Sequence, residues 1–133
     1  MGKKLSDTYM DNGPQWLKDN ASKLIVCDGE PTSYADATTL VSGGGKKLGE
    51  VAVATGDFTL ADGDTSGRKV TVAAKSDINI DNATGGDADH IAIVYDSGSD
   101  LSLVTTISPA KTGLAQNDKV NTPAFDDEIA DPT

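Results

Sequence analysis

A chain of 133 residues has the size of one domain, and with 37% hydrophobic residues, two Phe, one Trp and two Met it has little from which to build a core. Its apolar content is mainly Ala and Val, so the monomer is expected to be marginal and to associate with copies of itself or with a partner. Twenty-one acidic residues against 11 basic ones give a net charge of -10, which argues against direct binding to nucleic acid or to anionic membranes.

The first residues, Met1-Gly2-Lys3-Lys4-Leu5, lack the apolar region of a secretory leader, and no apolar stretch approaches the roughly 18 residues of a membrane span. Residues 1–22 read as an N-terminal helical arm. Ser6 is the candidate N-cap, with Tyr9, Met10, Trp16, Leu17 and Ala21 near helical spacing. Asn12-Gly13-Pro14 predicts a break, giving one kinked helix or two short ones between Ser6 and Ser22.

From Lys23 the pattern is of strands and turns, an antiparallel β domain over residues 23–125. Leu24 to Cys27 reads as a buried strand. Glu30 to Gly49, with Pro31 and Gly43-Gly44-Gly45, reads as a long surface loop. Leu48–Ala54 reads as a strand, Asp57–Gly67 as a loop, and Lys69–Ala74 and Asp77–Asp81 as strands. A turn at Asn82–Asp89 precedes an apolar strand from His90 to Tyr95. A hairpin loop then leads into a returning strand, Leu101–Ile107. Pro109–Asp118 reads as loop, Lys119–Phe125 as the last strand, and residues 126–133 as an acidic tail. Short strands with Gly/Asp turns and no intervening helices predict a mainly β fold, an antiparallel sandwich or barrel with a short N-terminal helix.

Few residues offer chemistry. Asp62-Gly63-Asp64-Thr65-Ser66-Gly67 matches the first half of a calcium loop, with Asp62, Asp64 and Ser66 as candidate ligands. The twelfth position, where a bidentate acid belongs, is Ala73, so a tight inter-strand turn is the preferred reading. His90, the one histidine, has no nucleophile motif beside it, and one His with one Cys is too little for zinc. Cys27 reads as a small core hydrophobe. Gly43-Gly44-Gly45-Lys46 lacks the spacing of a phosphate loop. Arg68, the one arginine, is expected to be ion-paired, pinning the Asp62–Asp64 turn or a neighbouring subunit. No catalytic residue, metal or cofactor is expected, and an enzyme is the least favoured class.

Three stretches resemble a family of small virion proteins of tailed bacteriophages, some of them head decoration or cement proteins. They are Asp19 to Cys27 followed by Glu30 to Ala37, Ala61 to Val72, and Pro123 to Pro132. The resemblance implies a structural protein that binds the major capsid protein on the outer capsid surface after assembly in the host cytoplasm. It also implies association into a homo-oligomer such as a trimer, and an uninterrupted N-terminal helix where Asn12-Gly13-Pro14 predicts a break. Trp16, Tyr34, Arg68 and Phe125 are the candidate interface residues. A tail, connector or fibre-base component and a calcium-dependent binding module are the alternative readings.

Overall fold

The structure, a computed structural model, describes residues 6–131. The Lys3-Lys4 pair, Pro132 and Thr133 lie outside the described residues, as do the side chains of Tyr9 and Met10.

Helix α1 spans Asp7–Asn20 with Pro14 inside it, so the segment is one helix and the alternative of two short helices does not occur. A proline inside a helix loses one backbone hydrogen bond and costs about 3 kcal/mol. Here tertiary contacts offset that cost: Pro14 and Leu17 are buried, and Arg68 holds Asp11 from the sheet below at 2.7 Å.

Nine strands follow among the described residues: β1 (Lys23–Cys27), β2 (Lys47–Ala52), β3 (Phe58–Asp62), β4 (Arg68–Val72), β5 (Lys75–Asn79), β6 (Gly86–Tyr95), β7 (Asp100–Leu114), β8 (Lys119–Thr122) and β9 (Phe125–Ile129). Every strand pairing is antiparallel, as the sequence pattern predicts. The strands form three sheets, of orders β2-β1-β6-β7, β3-β4-β9 and β5-β8.

After Lys23, strand β1 is apolar because both of its faces are covered. Leu24 and Val26 join the main core with Ile91 and Ile93 of β6, Phe58 of β3, Val70 and Val72 of β4, Ile78 of β5 and Val120 of β8. Ile25 and Cys27 face the other way, into a smaller cluster with Ala92, Val94 and Ala37. Gly49 lets the first sheet meet the third, since a Cβ there would lie 2.0 Å from the Asn79 carbonyl oxygen.

Several segments read as loop are ordered otherwise. Within Glu30–Gly49 lie helix α2 (Tyr34–Thr38), capped by the Ser33 hydroxyl, and a 3-10 turn at Val41–Gly43. Ala37 of α2 is fully buried and supplies the lid of the smaller cluster. The expected loop Asp57–Gly67 contains β3, whose Phe58 is 1% exposed. Strand β7 continues through the expected loop to Leu114, because β6 supplies partners as far as Gly86. The expected last strand is two, β8 and β9, separated by Pro123 and Ala124. The acidic tail is a strand as far as Ile129: β9 pairs with β4 from Phe125↔Val72 to Ile129↔Arg68. Its charge is tolerated because Lys69 and Thr71 on β4 meet Asp126 at 3.1 and 2.6 Å.

Candidate functional site

The second sheet carries most of the residues singled out by the sequence. Strands β3 and β4 are joined by the tight turn Gly63–Gly67, closed by a Gly63 N–H bond to the Gly67 carbonyl. Gly67 has φ +75, and a Cβ there would lie 1.9 Å from the Ile129 carbonyl oxygen, so only glycine lets β9 approach.

The three candidate calcium ligands are all engaged within the protein. Asp62 accepts from Arg68 Nη1 at 2.6 Å, Asp64 from Lys69 Nζ at 2.6 Å, and the Ser66 hydroxyl from the Asp131 N–H at 3.2 Å. Asp62 and Asp64 therefore contact different cations, as in an ion-paired turn.

Arg68 links elements that the sequence leaves apart. Its Nε donates to Asp11 of α1 and its Nη1 to Asp62 of β3, so one guanidinium ties the helix to the sheet. Those hydrogen bonds, to Asp11 first and Asp62 second, raise its already high pKa. On the opposite face of β4, Lys69 bridges Asp64 and Asp126, which raises the Lys69 pKa. Hydrogen bonds from Thr71 and then Lys69 hold the Asp126 carboxyl below its usual range.

His90 and Cys27 sit opposite each other on β6 and β1. His90 Nδ1 lies 2.9 Å from Asp89 Oδ1, which also accepts from the Gly29 N–H at 2.7 Å. Burial works to raise the Asp89 pKa, but the hydrogen bonds from His90 and Gly29 outweigh it and hold the carboxyl low. Burial pushes the Cys27 thiol up to about 12, with Asp36 and Asp89 adding to the effect, so it stays protonated and unreactive. Gly43-Gly44-Gly45 closes the 3-10 turn: Gly44 is left-handed at φ 94, and Gly45 donates to the Leu40 carbonyl.

Tyr34, at the start of α2, donates to Asp96 at 2.8 Å, and Asp96 also meets Lys23 at 3.4 Å. The bond to Asp96 raises the Tyr34 pKa. Phe125 is half-buried against the main core. Trp16 is 42% exposed and stands edge-on to Tyr95, with ring centroids 5.5 Å apart. The four interface candidates therefore lie on four different elements, α1, α2, β4 and β9.

One of them, Trp16, borders a surface feature that the sequence does not reveal. An open groove of about 390 Å3 runs between α1, the beginning of β7 and the end of β9. Gly13, Pro14, Trp16 and Leu17 line it from the helix, Asp100 to Leu103 from β7, and Asp127 and Ile129 from β9. Strands β7 and β9 are edge strands of different sheets. Ile129 is 37% exposed, and it and Trp16 are the exposed large apolar side chains among the described residues. The sequence carries little signal for β9, because Phe125-Asp126-Asp127-Glu128-Ile129 lacks the apolar/polar alternation of a strand.

No protein family matches the chain, and comparison with curated proteins and with solved structures finds no match. Among the described residues no helix is long and apolar enough to cross a membrane.

Proposed function

We propose that this chain is a structural protein of a tailed-bacteriophage virion, a decoration or cement protein that binds the lattice of major capsid protein and braces it against expansion. The observation that carries an assembly role is the groove: Trp16 and Ile129 stay exposed there, while Phe58 and the aliphatic core side chains are buried. Exposed apolar groups gathered at one seam mark a surface that gains stability when a neighbour covers it. The resemblance of three sequence stretches to phage virion proteins supports the choice of assembly, and the net charge of -10 suits an outer surface that repels free nucleic acid. Weak single contacts suffice, because a closed lattice adds them by avidity. Self-association, as a trimer for example, would bring several copies to one lattice junction.

Labelled antibody on intact virions, with quantitative mass spectrometry of purified particles, tests this reading. Label over the whole head at a copy number matching the lattice, with heads lacking the protein bursting sooner on osmotic shock, is the expected result. Label at one vertex or along the tail would assign the chain to a connector, tail or fibre base instead. Absence from particles would overturn the virion reading.

A further inference from the structure

The groove separates two open sheet edges. Among the described residues strand β7 pairs only with β6, and β9 only with β4, so alternate N–H and C=O groups along both strands turn away from their sheets. Four consecutive β7 residues, Asp100 to Leu103, form one wall, and β9 forms part of the other. An extended segment laid along β7 would find backbone partners there and the exposed apolar side chains of Trp16 and Ile129 beside it.

The register of β9 adds a charge. Asp127 lies opposite Val70, and Phe125 opposite Val72, while Val70 and Val72 are fully buried. Asp127 therefore shares the face of Val70, but on this edge strand its side chain is exposed at the groove. Asp127 has no ion-pair or side-chain hydrogen-bond partner among the described residues. The groove wall holds a second acid, Asp100, and no lysine or arginine. A second copy of this chain, with its own charge of -10, suits such a groove poorly.

We propose that the seam between β7 and β9 receives an extended segment of a different protein, with apolar residues alternating with lysine or arginine, one cation reaching Asp127. This rests on the reading of the chain as an assembly protein and names the chemistry of the partner contact. Backbone pairing to β7 supplies affinity, and the Asp127 carboxylate supplies selection by charge.

Trp16, the one tryptophan, lines the groove and reports occupancy by its fluorescence. Two synthetic eight-residue peptides serve as probes, both alternating valine with a charged residue, one with lysine and one with glutamate. The lysine peptide is expected to shift Trp16 emission saturably, and the glutamate peptide to bind at least tenfold more weakly. In Asp127→Lys, checked for an unchanged circular dichroism spectrum and melting point, the preference should reverse. Equal binding of both peptides, no binding of either, or an unchanged preference in a folded Asp127→Lys variant would each overturn the proposal. Particle incorporation separates this from the virion reading. Wild-type protein present on heads together with Asp127→Lys present at the same copy number sinks the seam alone. Wild-type protein absent from particles sinks the virion reading and leaves the peptide result to stand or fall by itself.

Discussion

Replacing Phe58 with alanine distinguishes a core position from a loop position. Phe58 opens β3 opposite Val72, is 1% exposed, and is the largest of the fully buried side chains. A ring of this kind buries about 150–250 Å2, and at about 25 cal/mol per Å2 that is roughly 4–6 kcal/mol as an upper bound. Measured truncations of buried Phe to Ala cost about 3–5 kcal/mol. Against a total stability of about 5–15 kcal/mol the loss is large. At about 3–5 °C per kcal/mol for a domain of this size, the melting temperature should fall by roughly 10–25 °C. Urea unfolding followed by circular dichroism should show a lower midpoint with an unchanged slope. A substitution in an exposed loop stays within about 0.5 kcal/mol. A loss under about 1 kcal/mol for Phe58→Ala would therefore refute the placement of β3 against the main core.

Arg68→Ala should loosen α1 selectively, because Arg68 joins Asp11 to Asp62. Amide exchange in residues 11–20 is expected to quicken several-fold while β1 and β6 stay protected, and uniform protection would contradict the role given to Arg68. Stability should fall at both ends of the pH range. Asp57, Asp89 and Asp126 have depressed folded pKa values, so their contribution is present above the unfolded value near 4 and is lost as pH falls through the folded values. Lys23 and Tyr34 have raised values, so theirs is present below about 10 and lost as pH rises through the folded values. Urea midpoints measured from pH 3 to 11 check both limbs, with Asp57→Asn expected to make the acid limb shallower. Cys27 should resist Ellman's reagent at pH 8 in native protein and react once urea unfolds the chain; rapid native labelling would place the thiol outside the core.

Much of the strand pattern was legible locally. β1 and the apolar half of β6 stand out because covering both faces of a strand demands an unbroken apolar run. β4 stands out because its lysine and threonine alternate with valines. What local reading lost were segments whose order depends on distant partners. Phe58-Thr59-Leu60-Ala61 sits among Asp, Gly and Thr and becomes a strand only beside β4. Phe125 to Ile129 carries three acids and becomes a strand because β4 offers it hydrogen bonds, Lys69 and Thr71. Pro14 stays inside a helix because Leu17 is buried and Arg68 holds Asp11.

The sequence by itself determined the mainly β class, the antiparallel pairing and the acidic surface, because alternation, turn residues and net charge are properties of neighbours along the chain. Only the tertiary structure decided that Arg68 ties α1 to β3 and that two strand edges from different sheets face one another across Trp16 and Asp127. The physical reason is separation: the groove joins residues 13–17, 100–103 and 127–129, and no local propensity carries the register that brings them together.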